Sequence, residues 1–363
     1  MIKMKFLVIG GPLILGILAA VQSTLAATCT ITSYNEDLIK DAEKNCATIT
    51  LNGLSVPAGV TLDLNLNEGA KLIFQGTTTW EFFEWDGPLV NITGTNVEIS
   101  GAPDHLLDVR GNLWWDGKGE DGDIIKPVSF VVHGLQNSII RDINIKNPSF
   151  HAIWIEKSDG VLAQDVYVDS IDGDTLGGKN TDGFNVWTSN NVTIQRIRVY
   201  NQDDCVAIKS GTNVVVKDCY CSGGHGVSVG SVGGRVYNIV ENVSLSNIDV
   251  VNSDNGLRIK TNYGTTGSVT NVTYENVTLK DINKFGIRIH GDYGNHSAGA
   301  TGGVPIKEFT LKNISGTVKE TGTNVYIQVK NASDWHWTEV NITGGKVIQE
   351  CYGIPEDSGI TCC

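Results

Sequence analysis

The sequence contains few of the residues that favour helices, and it has no segment that looks like a linker. Only 2 methionines occur, leucine-rich stretches are scarce, and valine, isoleucine, asparagine, threonine and glycine recur along its whole length. This composition is typical of strands and turns and argues against a mainly helical protein. Without a proline-rich, glycine/serine-rich or charged linker, nothing predicts a division into two domains.

Long apolar runs are also absent after the N-terminus, so no later segment could cross a membrane as a helix. Lys3 and Lys5 precede an apolar run from Phe6 to Val21, and small residues end near Ala27. This order predicts a signal peptide over residues 1–27 and a secreted, extracellular mature chain. An N-terminal membrane anchor is the alternative, but the run is short and contains glycine and proline.

Positive charge is in deficit. The formal net charge is −13, and the predicted signal carries two lysines and no acid, so the mature chain has −13 − 2 = −15. A surface of this sign repels nucleic acid and anionic membranes, which excludes both as partners at neutral pH.

One short phrase recurs six times: a lead residue, a small residue, then apolar–any–apolar. Its lead residues lie 31, 22, 21, 30 and 30 positions apart. Alternation of this kind indicates a strand with one buried face, and repetition at this period indicates stacked coils. We therefore predict an all-β, single-domain, right-handed parallel β-helix (a β-solenoid) over residues 28–363. A β-propeller, the alternative, needs longer repeats. The six copies begin at His151, Asp182, Asp204, His225, Asn255 and Phe285.

The lead positions of neighbouring coils concentrate acidic residues. Asp182 heads one coil and Asp203-Asp204 the next, and parallel strands lie only about 4.8 Å apart. Carboxyl groups so close cannot all ionise easily, so at least one pKa is expected to rise. That would prepare one carboxylic acid to donate a proton while another stays ionised. A solvated turn or a calcium site is the alternative interpretation.

His225 heads the following coil between Gly224 and Gly226, which leave its imidazole uncovered. We predict that it tunes the protonation of the aspartates. Arg258 and Lys260 share the outer face of a later strand, where they could clamp an anionic substrate. The alternative for these two cations is a salt bridge to the aspartates themselves.

Eight cysteines in a secreted chain imply disulfides. Cys29 and Cys46 would close an N-terminal loop inside a capping segment over residues 28–50, and Cys351 would pair with Cys362 or Cys363. Cys205 lies near Cys219 and Cys221, one of which is left over. Sequons for N-glycosylation occur at Asn91, Asn191, Asn242, Asn271, Asn276, Asn295, Asn313, Asn331 and Asn341.

Four short blocks contain the polar residues described above: Asn180-Thr-Asp182, Gln202-Asp203-Asp204, Gly224-His225-Gly226 and Arg258-Ile-Lys260. Together, and in this order, they resemble the signature of the polygalacturonases, glycoside hydrolase family 28. Neighbouring segments, such as Gly230-Ser-Val-Gly-Gly234, are similar to those of secreted fungal endo-polygalacturonases. The resemblance covers nearly the whole mature chain.

The resemblance implies hydrolysis of α-1,4-linked galacturonan with inversion and without a metal or cofactor. Asp203 resembles the general acid, and Asp182 and Asp204 the pair that positions and deprotonates water, while His225 assists the acid. The implied substrate-binding residues are Asn180, Arg258, Lys260 and Tyr293.

The implied substrate is polygalacturonic acid or pectin, a polyanion that the acidic chain should repel. Either the protein works in acid near its pI of about 4.9, or local cations override the global field. The resemblance also implies a monomer that meets plant polygalacturonase-inhibiting proteins. The alternatives are an exo-polygalacturonase, a calcium-dependent pectate lyase, and a non-catalytic pectin-binding homologue.

Overall fold

The computed structural model describes residues 27–348 and 351–360. The predicted signal peptide therefore lies outside the described residues, apart from Ala27. In the described part of the chain, none of the helices combines the length and the apolar character that crossing a membrane requires.

A parallel β-helix is the architecture of the described residues, and every strand pairing in them is parallel. This confirms the predicted all-β, right-handed parallel β-helix and excludes the propeller, whose blades are separate four-stranded sheets. The strands of the described residues form two sheets. We call the ten-stranded one the site sheet; its strands are Leu62–Asn65, Val90–Thr93, Phe130–His133, Ile153–Glu156, Phe184–Trp187, Val206–Ile208, Val227–Val232, Asn255–Asn262, Phe285–Tyr293 and Thr323–Gln328.

The second sheet wraps around the remaining sides of the coil. Its longest strands bend where asparagine or another polar residue adopts a positive φ. Its seventeen described strands are Thr28–Ile31, Thr48–Asn52, Ser55–Val56, Lys71–Gln75, Thr77–Trp80, Glu98–Gly101, Leu106–Asp108, Gln136–Arg141, Asn144–Lys146, Asp159–Gln164, Tyr167–Asp169, Ser189–Tyr200, Gly211–Ser222, Ile239–Val251, Ser268–Ile282, Ile306–Val318 and Ala332–Thr343.

All six copies of the repeated phrase lead into strands of the site sheet. Their apolar positions point inward and stack from coil to coil: Val206 pairs with Val227, and Val227 with Leu257. These side chains are at most 1% exposed. Burying an aliphatic side chain of this size contributes about 1.5–3 kcal/mol. The interior stack therefore keeps the coils in register and fixes the outward-facing residues relative to one another.

Asparagine ladders build the corners between strands. Asn213 has a φ of 57° and Asn242 a φ of 56°, the left-handed conformation that asparagine tolerates. The Asn213 amide donates to Asn191 at 3.0 Å, and the Asn242 amide donates to Asn213 at 3.1 Å. Asn271 continues the ladder at 2.8 Å. Three of these residues, Asn191, Asn242 and Asn271, are also sequons, so their recurrence has a structural reason.

The N-terminal capping segment contains a helix, Glu36–Asn45, which the strand-based interpretation did not predict. Asn35 caps it by accepting a hydrogen bond from the Leu38 N–H at 3.0 Å. The helix buries Ile39 and Ala42 over the open end of the β-helix. A disulfide between Cys29 and Cys46, as predicted, ties the segment together.

Of the three central cysteines, two form a disulfide and one is a free thiol. Cys205 pairs with Cys221, and Cys219 is the free, buried cysteine among the described residues. Cys351 is disulfide-bonded, and the choice between Cys362 and Cys363 as its partner lies outside the described residues.

The described residues contain four further short helical segments. One is the short helix Gly173–Leu176, and the other three are 3-10 turns at Gly111–Leu113, Gly119–Asp121 and Glu356–Ser358. The first two of these 3-10 turns lie in a loop over residues 111–123 that contains no strand.

Candidate active site

The lead residues of the phrase form a column along one edge of the site sheet. The residue after Asp182 donates its N–H to the carbonyl oxygen of Asp204 at 2.9 Å. The residue after Asp204 donates to the carbonyl of the residue after His225 at 2.8 Å. Asp182, Asp204 and His225 therefore lie on consecutive coils, as the alignment of the six copies predicts.

Asp203 is held by a network of donors. Its Oδ1 lies 2.9 Å from His225 Nδ1, and its Oδ2 accepts a hydrogen bond from Asn180 Nδ2 at 3.0 Å. The backbone N–H of Asp204 also donates to Asp203 Oδ1 at 2.7 Å. The other end of the Asn180 amide accepts from the Glu120 N–H at 2.9 Å, which ties the loop over residues 111–123 to the site. The predicted sugar contact Asn180 is thus also a support for Asp203.

Asp204 is buried and paired with a cation two coils away. The Lys260 ammonium lies 2.5 Å from its Oδ2, and the Ser228 hydroxyl donates to its Oδ1 at 2.7 Å. Between the two alternatives for Lys260, the free structure shows the salt bridge to an aspartate. Lys260 and Arg258 lie on the outer face of their strand, yet only 5% and 6% of each is exposed. The outer face here is the floor of a cleft rather than open surface.

Tyr293 completes this end of the site. Its ring centroid lies 5.4 Å from the Arg258 guanidinium carbon and 5.2 Å from the Lys260 nitrogen, which is a cation–π arrangement. Arg258 also directs its Nε toward His290 Nε2 at 3.4 Å. The structure therefore brings together the cations and the tyrosine that the sequence singles out separately.

The carboxyl groups of the cluster have pKa values displaced in opposite directions. Burial and the neighbouring charge of Asp203 raise the pKa of Asp182 to about 8. Burial alone would raise the pKa of Asp203 too, but the hydrogen bond and charge of His225 outweigh it and lower that pKa. At mildly acidic pH the cluster therefore holds a proton on Asp182 and an ionised Asp203.

The two cations of the cluster are stabilised in their charged forms. Burial would lower the pKa of His225, but its contact with Asp203 raises it. Burial would likewise lower the pKa of Lys260, and the charge of Asp204 raises it. The contact with Asp203 therefore favours the charged, imidazolium form of His225.

Sequence reasoning missed Lys209. It occupies the fifth place after the lead Asp204, and Lys260 occupies the same place after the lead Asn255. Within the described residues, no carboxylate oxygen lies within 4.0 Å of its ammonium. Burial lowers its pKa, while the charge of Asp182 opposes that change. Comparing the fifth place among the six copies would have found it.

His151 is a second residue that the sequence shows without revealing its contact. It heads the first copy of the phrase, and its Nε2 lies 3.4 Å from Asp182 Oδ1. Arg235, which the repeat does not include, stacks over Trp187 at 5.3 Å on the same side of the cleft. The column of polar and charged side chains thus extends beyond the four predicted blocks.

Among the described residues, two groups of side chains place potential metal-binding atoms within 4.8 Å of one another: Asp203, Asp204 and His225, and His290, Asp292 and His296. In the first group, Lys260 and His225 are already paired with the carboxylates. In the second, His290 Nδ1 lies 2.7 Å from Asp292. Because these donors are engaged with one another, we assign no ion to either group.

Comparison with known proteins shows the family to which this chain belongs. The model of glycosyl hydrolases family 28 matches residues 46–363. Endopolygalacturonase I of Aspergillus aculeatus is 45% identical over 93% of this chain and 90% of its own length. A polygalacturonase of Cochliobolus carbonum is 46% identical over 95% and 96%.

Solved structures of related proteins resemble this chain as well. Endopolygalacturonase I from Stereum purpureum, solved with two galacturonates, is 35% identical with a TM-score of 0.81, covering 88% of this chain and 95% of that one. An endo-xylogalacturonan hydrolase from Aspergillus tubingensis, 22% identical with a TM-score of 0.78 over 93% and 99%, shares the fold. Together with the family match, these similarities confirm the resemblance drawn from the four blocks: the chain belongs to the glycosyl hydrolases of family 28.

Proposed function

We propose that this protein is a secreted endopolygalacturonase that hydrolyses α-1,4-galacturonosyl linkages in polygalacturonan and de-esterified pectin with inversion. The observation that carries the proposal is the column of three carboxyl groups flanked by the buried cations Arg258 and Lys260. Carboxyl pairs perform glycoside hydrolysis, and cations attract an anionic sugar. These cations also explain how an acidic chain can bind a polyanion, because they make the field positive locally.

Asp203 acts as the general acid in this proposal. The proton that Asp203 delivers to the glycosidic oxygen is the one that it shares with His225. The two groups are 2.9 Å apart, measured from Asp203 Oδ1 to His225 Nδ1. As the leaving oxygen gains negative charge, this proton moves from the imidazolium side to Asp203 and on to that oxygen. Asn180 fixes the carboxyl orientation through its 3.0 Å hydrogen bond.

Asp182 and Asp204 position the attacking water. Asp204, with the Lys260 ammonium 2.5 Å from its Oδ2, accepts the proton of the water. Asp182, whose pKa is raised to about 8, can donate a hydrogen bond that orients that water. Two carboxyl groups around one water on the face opposite the acid give inversion at the anomeric carbon.

Arg258, Lys260 and Tyr293 bind the substrate at one side of the bond that is cleaved. A substrate carboxylate can take a hydrogen bond from Arg258, and the Tyr293 ring keeps both cations in place. Lys209 extends the positive charge two coils toward the N-terminus, where it meets the preceding sugar.

Substitution Lys209→Met is expected to raise the KM for polygalacturonate about tenfold, because a charged hydrogen bond to a substrate carboxylate is lost. Lys217→Met, on the second sheet, is the matched control and should leave KM unchanged. Initial rates on polygalacturonate of fixed length measure both. An unchanged KM in Lys209→Met would contradict a substrate contact at this lysine.

Substitution His225→Gln is expected to move the falling, alkaline limb of the pH–rate profile to lower pH. In the native protein the acid's proton is lost with the raised pKa of His225. Without the imidazole, the proton is held by the Asp203 carboxyl group alone, whose ordinary pKa lies well below that of an imidazolium. Profiles of kcat/KM over pH 4–8 would show the shift, and an unmoved limb would refute this role of His225.

The function is tested by incubating the protein with de-esterified pectin. We expect reducing ends to appear, with activity that survives EDTA and a product without ultraviolet absorbance. A calcium-dependent lyase would need the metal and form an unsaturated, absorbing product. No release of reducing ends at any pH from 4 to 7 would overturn the proposal in favour of a pectin-binding homologue.

Chromatography of early products distinguishes the mode of attack. An endo-acting enzyme releases mixed oligomers from long polygalacturonate, whereas the alternative exo-polygalacturonase releases monomer alone. The similarity to fungal endopolygalacturonases supports the first outcome.

Secretion, domain structure and partners complete the proposal. We infer that residues 1–27 are removed as a signal peptide and that residues 28–363 form one catalytic domain, which acts as a monomer and which plant polygalacturonase-inhibiting proteins recognise. The disulfides support an oxidising, extracellular location. N-terminal sequencing and the mass of the secreted protein test the cleavage site and the oligomeric state.

A further inference from the structure

His151 heads the first copy of the repeated phrase, yet none of the chemistry above uses it. It lies one coil before Asp182, because the residue after it donates its N–H to the Asp182 carbonyl at 2.8 Å. Its side chain is buried, and its ring stacks on Phe150 with centroids 4.0 Å apart. Because this buried imidazole lies beside a catalytic carboxyl group, the nitrogen that carries its proton decides what it can do there.

Trp154 determines that position. Its indole N–H donates to His151 Nδ1 at 2.8 Å. An indole N–H can only donate, so Nδ1 must be the unprotonated nitrogen. In the neutral ring the proton then lies on Nε2, the atom 3.4 Å from Asp182 Oδ1.

His151 remains neutral in this site. Burial and the positive charge of Lys209 lower the pKa of its imidazole well below the usual range, although the charge of Asp203 opposes this. His151 therefore differs from His225, whose charged form is favoured by Asp203. It can supply a directed N–H without adding a second positive charge to the cluster.

The groups that face Asp182 act on it mainly by charge. Asp203 and Asp204 repel its ionised form, whereas Lys209 and Lys260 favour it. None of them donates a hydrogen bond to the Asp182 side chain among the described residues. The His151 N–H is the group placed to fix which oxygen of Asp182 faces the water.

We propose that His151 is a positioning residue for Asp182, held by Trp154 in the tautomer that carries its proton on Nε2, the atom facing the carboxyl group. The distance of 3.4 Å is longer than a good hydrogen bond, and contacts of this kind tighten when substrate binds. This inference rests on the proposed function. It gives the first copy of the phrase a place in the same column as the later ones.

Two variants at His151 test the proposal. His151→Phe keeps a ring against Phe150 but removes the donor, and we expect kcat to fall about tenfold with KM within about twofold. His151→Gln retains an N–H and should recover most of kcat. Equal losses of kcat in both variants would mean a packing role and overturn the proposal.

Nitrogen-15 NMR of histidine-labelled protein tests the tautomer without substrate. The His151 signals are those missing from His151→Gln. We expect an unprotonated Nδ1 and a protonated Nε2 in the native protein, and a mixture of tautomers in Trp154→Phe. A protonated Nδ1 in the native protein would overturn the proposal. An inert native enzyme with the expected tautomer would instead contradict the proposed function, so the two failures are distinguishable.

Discussion

Asp203→Asn is expected to lower kcat by a factor of about 10²–10⁴, because the amide cannot deliver a proton to the glycosidic oxygen. KM should change little, since the cations that bind substrate carboxylates are untouched. The asparagine amide has the shape of the carboxyl group and can still accept the Asn180 hydrogen bond. Steady-state kinetics on polygalacturonate would measure the loss.

The control for Asp203→Asn is Asp249→Asn, an exposed aspartate on the second sheet outside the cleft. It changes the net charge equally and should leave kcat unchanged. Circular dichroism should show both variants folded. If folded Asp203→Asn kept a tenth or more of the native kcat, Asp203 would not be the acid.

Lys260→Met should produce the largest loss of stability among the cleft residues, about 3–5 kcal/mol of the free energy of unfolding. The substitution leaves Asp204, which is 1% exposed, as a buried charge without its partner 2.5 Å away. A buried unpaired carboxylate is far more costly than the absence of the whole pair. Urea unfolding of the native and variant proteins measures the difference.

Two further variants isolate the cause. Lys260→Met combined with Asp204→Asn should regain most of the lost stability, because no buried charge is left unpaired. Lys312→Met breaks a 2.7 Å pair with Glu275 that is exposed to solvent, and it should have little effect. If the double variant were as unstable as Lys260→Met alone, lost packing rather than the unpaired charge would explain the effect.

The fold and the placement of the lead residues in one column could be predicted because they depend on local repetition. A lead residue recurs at each coil, so register alone places Asp182, Asp204 and His225 side by side. The same reasoning could not foresee that Lys260 reaches Asp204 across two coils, since that depends on the path of a long side chain. The sequence left both outcomes open for this lysine.

Other features could not be predicted from the repeated phrase, for different reasons. Cys219 and Cys221 are two apart on one strand and both face inward, so alternation could not tell which one pairs with Cys205. The capping helix Glu36–Asn45 carries an asparagine cap and acidic residues in its first turn, signals that a strand-centred interpretation passed over. The role of His151 required the orientation of the Trp154 ring.

The anomeric form of the first product tests the central claim most directly, namely that Asp203 protonates the leaving group while Asp182 and Asp204 activate water on the opposite face. Proton NMR during the first minutes of polygalacturonate hydrolysis would show it. The account predicts that the new reducing ends appear as the β-anomer and only later equilibrate. Initial appearance of the α-anomer would mean retention through a covalent intermediate and would contradict this arrangement of the three carboxyl groups.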